Sequence, residues 1–195
     1  MGISSINPRA AVFFDRDGVL VKAVVRDGRP HPPRHEDEFE LESEAREGLA
    51  RLCAFIPELF VVSNQPDVAR GTLSREAAEA MNAQVVRELP IVSSYICYHD
   101  DPDRCSCRKP RPGLLERAAD EHGLDLRRSY LVGDRWRDID AGAVAGCTTI
   151  LIDRNYDEKA PLHEPDYRVA TLADAVETII SIERTRGLAH EPEVF

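Results

Sequence analysis

Short apolar runs alternate with amphipathic segments along most of this chain. Five apolar runs have the length and composition of buried strands, and a weaker one lies near residues 167–170. The five runs cover residues 10–14, 59–63, 94–98, 130–133 and 148–152. Helical spacing predicts helices over residues 44–55, 74–89, 112–122, 138–145 and 171–184. Alternating strands and helices indicate an α/β fold, a Rossmann-like three-layer αβα sandwich around a parallel sheet.

Two segments lack this alternation. Residues 27–38 are rich in proline, histidine and charge and have no periodicity, which predicts a surface loop that overhangs the end of the first strand. Residues 187–195 are expected to be a frayed tail. No inserted segment is long enough for a second domain, so we expect one domain over residues 1–195.

The segments that follow four of the predicted strands carry groups that suit phosphate chemistry. The groups are Asp15 and Asp17 after the first run, Ser63, Asn64 and Gln65 at the end of the second, Lys109 in the loop after the third, and Asp134 and Asp138 after the fourth. The carboxyl ends of parallel strands lie at one edge of the sheet, where ligands bind in open α/β folds. We therefore expect these side chains to converge in one crevice.

Carboxylates gathered in a crevice are costly to ionise unless a cation offsets them. Mg²⁺ favours oxygen ligands, and Asp15 and Asp134 can supply two of them. A carboxylate can attack phosphorus and form an aspartyl-phosphate, while Lys109 and Ser63 can hold the other phosphoryl oxygens. Asp or Asn after a single strand is often a turn former or a helix cap. The repetition at several strand ends favours a Mg²⁺-dependent phosphoryl-transfer site over coincidence.

A cysteine-rich loop at about residues 97–107 has the spacing of a metal site. It supplies three thiolates and one imidazole, from Cys97, His99, Cys105 and Cys107. This is a closed ligand set for structural Zn²⁺, and because the loop has no apolar core a metal would supply its folding energy. Incidental buried thiols, copper and iron are the alternatives. The loop ends two residues before Lys109, so we expect zinc to fix the positions of Arg108 and Lys109.

Composition narrows the possible partners. The formal net charge of −10 argues against a nucleic-acid or anionic-membrane surface. No stretch approaches the ~18 apolar residues of a membrane helix, and the first residues lack the pattern of a signal peptide. An odd number of cysteines, five, argues against a disulfide framework. We expect a cytoplasmic monomer that acts on a small phosphorylated metabolite, with no nucleic acid and no membrane as a partner.

Taken together, the motifs resemble those of the haloacid dehalogenase (HAD) superfamily. They are Asp15-Arg16-Asp17-Gly18, Ser63-Asn64-Gln65, Arg108-Lys109-Pro110 and Gly133-Asp134-x-x-x-Asp138. Over about residues 10–150 the chain looks like the cap-less branch that holds the heptose bisphosphate phosphatases and the histidinol-phosphate phosphatases. The resemblance implies the HAD fold with no separate cap domain, a phosphoric monoester hydrolase activity, and a zinc loop with the ligand set present here.

The resemblance also implies roles for individual residues. Asp15 would be the nucleophile and Asp17 the general acid/base. Mg²⁺ would be held by Asp15, Asp134 and the main-chain carbonyl of Asp17. The remaining assignments are Ser63 and Lys109 to the phosphoryl oxygens, Asn64, Gln65, Arg108 and Arg135 to substrate binding, and Asp138 to orienting the loop and its cations.

Charge alone does not decide the substrate. A site for a heptose bisphosphate would need extra cationic side chains for the second phosphate, and a site for histidinol phosphate would need acidic side chains near the amine. Arginines available for the first are Arg16, Arg70, Arg108, Arg111, Arg135 and Arg137, and acids available for the second are Asp100, Asp101 and Asp103. The resemblance favours a heptose bisphosphate, although Pro66-Asp67 stands where those phosphatases usually have Ser-Gly. A receiver-like phospho-accepting domain and a non-catalytic, zinc-stabilised binding module remain open as hypotheses of other classes.

Overall fold

The computed structural model describes residues 9–26, 29–35 and 38–188. The strands are β1 (Val12–Phe14), β2 (Val24–Arg26), β3 (Arg29–His31), β4 (Leu59–Asn64), β5 (Ser93–Cys97), β6 (Tyr130–Gly133), β7 (Thr148–Ile152) and β8 (Tyr167–Val169). Six of them form one sheet in the order β5-β4-β1-β6-β7-β8, and every neighbouring pair is parallel. The predicted α/β fold with a parallel sheet is confirmed.

Helices connect the parallel strands. They are α1 (Ala45–Leu52), α2 (Pro66–Ala69), α3 (Arg75–Glu88), α4 (Gly113–His122), α5 (Trp136–Ala145) and α6 (Leu172–Leu188). Ser74 caps α3, since its hydroxyl accepts a hydrogen bond from the Ala77 N–H at 3.1 Å. α4 and α5 end at Gly123 and Gly146, whose left-handed backbone closes each helix. None of the described helices is long and apolar enough to cross a bilayer.

Two cores lie on opposite faces of the sheet. Val12 and Phe14 of β1 belong to a core that includes side chains of α1 and α6, whereas Phe13 belongs to one that includes side chains of α4 and α5. This alternation follows from the two-residue period of a strand. Because β1 is central and buried on both faces, its sequence is a continuous apolar run. Asp15 therefore projects from the end of a strand that is packed on all sides.

The element boundaries differ from those predicted by a few residues. The first strand starts at Val12 instead of residue 10, β5 is shifted one residue toward the N-terminus, and α5 begins at Trp136 instead of residue 138. α1 is shorter at both ends than the predicted helix over residues 44–55. α6 continues to Leu188, so the first two residues of the predicted tail are helical, and residues 189–195 lie outside the described part of the chain.

The predicted loop at residues 27–38 was only partly right. β2 and β3 pair antiparallel, with Val24 opposite His31, so residues 29–31 of the predicted loop form a strand. Residues 27–28 and 36–37 lie outside the described part of the chain. The sequence did carry a signal for this hairpin: two β-branched residues precede an Asp-Gly dipeptide, a strongly preferred two-residue hairpin connection.

Candidate active site

A cavity of about 460 Å³ lies at the carboxyl end of the central strands. Seven of the predicted site residues line it: Asp15, Asp17, Asn64, Arg108, Lys109, Arg135 and Asp138. Ser63, Gln65 and Asp134 are buried and do not line it. His31 and Pro32, at the end of the β2–β3 hairpin and just after it, also line the cavity. The strand order thus brings the predicted residues together, as parallel pairing requires.

Lys109 joins two of the carboxylates. Its ammonium nitrogen lies 3.0 Å from Asp15 Oδ1 and 2.5 Å from Asp138 Oδ1, and it donates a hydrogen bond to the Val62 carbonyl at 2.7 Å. Burial lowers the pKa of Lys109, but Asp138 and Asp15 outweigh burial and the net pKa is raised. The ammonium group is therefore charged and held between two acids.

Asp134 is the acid with the least compensation. Burial, and then the Asp15 and Asp138 carboxylates, hold the pKa of Asp134 well above its usual range. Neither of its oxygens is in a hydrogen bond of ordinary geometry, and the nearby Tyr156 hydroxyl offsets the repulsion only in part. Gly18 approaches so closely, at φ +87°, that a Cβ there would lie 1.9 Å from Asp134 Oδ2. Glycine is needed at that turn.

This cluster fits a divalent cation. Ligand oxygens of Asp15, Asp134 and Asp138 lie within 4.8 Å of one another. With Lys109, the cluster contains three carboxylates and one ammonium, which leaves a formal charge of −2 when all are ionised. Buried oxygens without hydrogen-bond partners are costly unless something coordinates them. A hard ion such as Mg²⁺ matches this donor set.

Asp17 is held by two buried side chains. Arg16 Nε donates to Asp17 Oδ1 at 2.9 Å and Arg16 Nη2 donates to Oδ2 at 3.0 Å. Gln65 Nε2 donates to Asp17 Oδ2 at 2.6 Å and to the Ser63 hydroxyl at 3.0 Å. Gln65, predicted to bind substrate, is fully buried and instead connects Asp17 to Ser63.

Asn64 fixes the main chain of Lys109. Its side-chain amide donates to the Lys109 carbonyl and its Oδ1 accepts from the Lys109 N–H, both at 3.0 Å. This pair of bonds ties the end of β4 to the segment after the cysteine-rich loop. The amide side chain can still be reached from the cavity, which it lines.

The arginines on the cavity wall are paired with acids. The pairs are Arg70 with Asp100, Arg108 and Arg137 with Asp101, and Arg135 with Glu158. Two other arginines that the sequence offered for a second phosphate do not line the cavity. Arg16 is fully buried, and Arg111 donates to the Cys105 carbonyl.

The segment after β7 forms a wall of the cavity that sequence reasoning missed. Glu158 and Lys159 line the cavity, and the Lys159 ammonium lies 3.6 Å from the centroid of the Trp136 ring. Arg154 donates to the Gly18 carbonyl at 3.0 Å, which fastens the segment to the turn after β1. The segment has no periodicity or motif from which its position could have been predicted.

The predicted zinc ligands form a compact cluster. Cys107 Sγ lies 3.3 Å from Cys97 Sγ, 3.5 Å from Cys105 Sγ and 3.4 Å from His99 Nδ1. A tetrahedral Zn²⁺ with Zn–S bonds of about 2.3 Å would place its sulfurs about 3.8 Å apart. The four side chains therefore have the spacing and donor set of a closed tetrahedral site. All five cysteines of the chain are free thiols.

Acids inside the cysteine-rich loop connect this cluster to the cavity. Asp101 Oδ1 accepts from Arg108 Nε at 2.8 Å, and Asp101 Oδ2 accepts from Arg137 Nη2 at 3.1 Å. Arg108 Nη1 also donates to the His99 carbonyl at 3.3 Å. The hydrogen bond from Arg108 holds the pKa of Asp101 below its usual range. The position of the loop therefore sets the position of Arg108.

Comparison with known proteins gives the class to which this fold and site belong. A family model described as HAD-hydrolase-like matches residues 106–178. The structure resembles D,D-heptose 1,7-bisphosphate phosphatase from B. bronchiseptica, solved in complex with magnesium and phosphate. The TM-score is 0.76 at 26% identity, over 89% of this chain and 99% of that one. The class is that of the HAD hydrolases.

Curated relatives are closer in sequence. The D-glycero-beta-D-manno-heptose-1,7-bisphosphate 7-phosphatase of Helicobacter pylori strain J99 is 32% identical over 143 residues, 70% of this chain and 79% of that protein. The D-glycero-alpha-D-manno-heptose-1,7-bisphosphate 7-phosphatase of Photorhabdus laumondii is 33% identical over 153 residues, 72% of this chain and 80% of that protein. This chain belongs to the HAD phosphatases, in the family of the heptose-1,7-bisphosphate 7-phosphatases.

Proposed function

We propose that this chain is a Mg²⁺-dependent phosphatase that removes the 7-phosphate from a D-glycero-D-manno-heptose 1,7-bisphosphate through an aspartyl-phosphate on Asp15. The observation that carries the proposal is the buried cluster of Asp15, Asp134, Asp138 and Lys109. It places an attacking carboxylate beside an ammonium group and beside a second carboxylate, Asp134, whose oxygens make no hydrogen bond of ordinary geometry.

In the first half of the reaction, an Asp15 oxygen attacks phosphorus and the bond from phosphorus to the leaving oxygen breaks. Asp17, as the acid, gives its proton to the leaving oxygen, and the dephosphorylated sugar departs as an alcohol. Lys109 stabilises the charge that builds on the phosphoryl oxygens. Ser63 is assigned to the same oxygens, although its hydroxyl is buried and accepts a hydrogen bond from Gln65.

In the second half, Asp17 takes a proton from a water molecule that attacks the phosphorus of the aspartyl-phosphate. The bond between phosphorus and the Asp15 oxygen breaks, and inorganic phosphate leaves. Asp15 is then a free carboxylate again and Asp17 again carries a proton. Each side chain is back in its starting state, so the cycle is balanced.

Mg²⁺ would be held by Asp15, Asp134 and the main-chain carbonyl of Asp17, and it would neutralise charge on the bound phosphate. HAD phosphatases generally use this ion. Asp138 does not need to be a ligand, since it holds Lys109 and accepts a hydrogen bond from the Arg135 N–H at 3.1 Å. We assign Asp138 to positioning.

Zn²⁺ would be held by the thiolates and the imidazole of the cysteine-rich loop. A four-ligand site leaves no position for water or substrate, so its contribution is structural. Because Asp101 and the His99 carbonyl bind Arg108, the metal would position the substrate-binding side of the cavity.

The heptose assignment is supported by the names of the relatives, which include phosphatases for both the alpha and the beta anomer. Arg108, Arg135 and Asn64 line the cavity and are assigned to the sugar and its second phosphate. Each arginine is already paired with an acid, so its charge is directed before the substrate arrives. Family membership favours a hydrolase over a receiver-like domain.

We also propose that the protein is a cytoplasmic monomer with no nucleic-acid or membrane partner. The formal net charge of −10 supports the absence of a nucleic-acid surface. Free thiols clustered for a metal support a reducing compartment.

Phosphate release from a panel of esters with Mg²⁺ tests the proposal. The panel holds both heptose bisphosphate anomers, histidinol phosphate and p-nitrophenyl phosphate. We expect one heptose anomer to be hydrolysed fastest, and the Asp15→Asn variant to lose at least about 10³-fold in rate. Asp120→Asn, on the exposed face of α4, is the matched control and should retain the wild-type rate.

Each alternative has its own outcome in this experiment. Faster turnover of histidinol phosphate would replace the heptose assignment and leave the chemistry intact. Unchanged turnover in Asp15→Asn would overturn the mechanism. A folded wild-type chain that is stably phosphorylated without turnover would be a receiver-like domain, and one that neither keeps nor releases phosphate would be a non-catalytic binding module.

A further inference from the structure

Arg16 is a charged side chain in a place where charge is costly. It lies between the two acids of the first motif, its residue exposure is 0%, and it is the largest fully buried side chain in the described part of the chain. A buried guanidinium costs several kcal/mol unless its N–H groups find good partners. The hydrogen-bond partners of Arg16 therefore indicate its role.

Arg16 uses three of its nitrogens on two partners. Nε and Nη2 bind the two oxygens of Asp17 at 2.9 and 3.0 Å, a side-on pair. Nη1 donates to Asn82 Oδ1 at 2.7 Å. The guanidinium thus bridges the end of β1 and the middle of α3.

Asn82 is an unusual residue for the buried interior of a helix. It is buried in the middle of α3, on a face whose other buried residues are Ala78, Met81 and Val85. Asparagine is a poor helix former and a costly core residue unless its amide is hydrogen-bonded. Its Oδ1 accepts the hydrogen bond from Arg16, whereas its Nδ2 is buried and makes no hydrogen bond of ordinary geometry, so the contact with Arg16 is the one that explains an amide here.

We propose that Arg16 and Asn82 are positioning residues that aim the Asp17 carboxyl at the leaving oxygen. The inference rests on the proposed function, in which Asp17 transfers protons. Asp17 Oδ2 accepts from both Arg16 and Gln65, whereas Oδ1 accepts from Arg16 alone. Oδ1 keeps the freer lone pair and is the atom assigned to proton transfer.

The first step provides a measurement, the ratio of the cleavage rates of an alkyl and an aryl phosphate, that would not change if the two residues only stabilised the fold. As the phosphorus–oxygen bond breaks, an alkoxide must receive the Asp17 proton, whereas p-nitrophenolate leaves without one. A misaimed acid therefore slows cleavage of an alkyl ester much more than cleavage of p-nitrophenyl phosphate.

The experiment compares single-turnover release of the leaving group from the alkyl phosphate that the panel shows to be fastest and from p-nitrophenyl phosphate. In Asn82→Leu, which keeps the side-chain volume and removes the acceptor, we expect about a 10²-fold loss with the alkyl ester. The loss with the aryl ester should be less than about 3-fold, since general acid catalysis is not needed there. Asn82→Asp, which keeps an acceptor oxygen, should recover most of the alkyl rate.

Two further variants keep the test decisive. Arg16→Lys retains the charge and loses the side-on pair, so it should show the same selective loss if Asn82→Leu does not fold. Val85→Ala, on the same helix and in the core, is the control. It should lower Tm and leave the ratio of the two rates unchanged.

Equal losses on both esters in a folded variant, or no loss on either, would overturn the inference and leave the proposed function standing. The two failures are separate, because the proposed function fails instead when the wild-type chain releases no phosphate or when Asp15→Asn keeps its activity. A wrong heptose assignment does not disturb the test, since any hydrolysed alkyl ester serves.

Discussion

The described part of the chain contains two clusters of potential metal ligands, and they are built in opposite ways. Cys97, the last residue of β5, and His99, Cys105 and Cys107, in the loop after it, lie within eleven consecutive residues and form a closed set of thiolate and imidazole donors. Asp15, Asp134 and Asp138 come from the ends of two different strands and the helix after one of them, and form an open set of hard donors. The first cluster lies at the end of the edge strand β5 and in the loop after it, and the second lies at the ends of the central strands.

This contrast explains why the two sites depend on the fold differently. The acid cluster needs the centre of the sheet, because β1 and β6 must pair before Asp15 and Asp134 can meet. The thiol cluster needs only β5, which ends at Cys97 and pairs with β4, and a bound metal would itself order the rest of the loop. The two meet at Arg108 and Lys109, which follow the loop in sequence and reach into the cavity.

The largest difference between the two clusters is expected when the metal of the cysteine-rich loop is lost, because activity should fall while Mg²⁺ binding is retained. In Cys107→Ser we expect loss of bound Zn²⁺ and about a 10²-fold fall in phosphatase rate, because Arg108 and Lys109 lose their support. Mg²⁺ binding should persist, since its proposed ligands follow β1 and β6 and lie outside the cysteine-rich loop. Metal content, phosphate release and Mg²⁺ titration measure the three quantities.

Cys53→Ser is the matched control, because Cys53 is a free thiol on the other side of the sheet. It should retain zinc and activity. Full activity in a folded, zinc-free Cys107→Ser sample would contradict the link between the loop and the cavity.

The two clusters also differ in how far the sequence reveals them. The loop ligands could be read from spacing alone, because all four lie within eleven residues. The strand-end acids could be gathered only by predicting a parallel sheet, which the apolar runs allow. The sheet order then brings Asp15 and Asp134 together, as β1 lies beside β6.

What the sequence could not show depends on contacts between segments without a pattern. Glu158 reaches Arg135 because the segment after β7 folds back across the end of the sheet. Gln65 reads as a residue for substrate, but its side chain turns inward to Asp17. Neither direction follows from periodicity, since both residues lie outside regular strands and helices.

A second test sharpens the contrast by removing one acid. Burial and two neighbouring carboxylates raise the pKa of Asp134 in the fold above its ordinary value of 3.8. The folded protein therefore binds a proton that the unfolded chain has released, and metal-free stability falls as pH rises from about 4 through the raised pKa. The loss is at most about 1.4 kcal/mol per pH unit from this group.

Asparagine does not titrate, so in Asp134→Asn the uptake of a proton on folding is lost. The free energy of unfolding of the metal-free variant should therefore fall less over the same pH range. It should also need about 10- to 100-fold more Mg²⁺ for half-maximal activity. Urea unfolding of metal-free samples from pH 4 to 8, and Mg²⁺ titration of activity, measure these effects. If the free energy of unfolding fell equally with pH in the wild type and the variant, the raised pKa of Asp134 would be contradicted.

The smallest expected effect probes the connection between the clusters. Asp101 holds Arg108 and Arg137 from within the cysteine-rich loop, but its side chain is 55% exposed, so each pair contributes less than about 1 kcal/mol. In Asp101→Asn we expect KM to rise about 2- to 5-fold with kcat unchanged, since the arginines would be less well directed at the substrate.

Asp103→Asn is the control, because Asp103 lies in the same turn and accepts from the Asp100 N–H at 2.8 Å. Equal changes in both variants would assign the effect to the turn itself. A lower KM in Asp101→Asn alone would show that Asp101 competes with the substrate for the arginines, so the loop would restrain the cavity instead of preparing it.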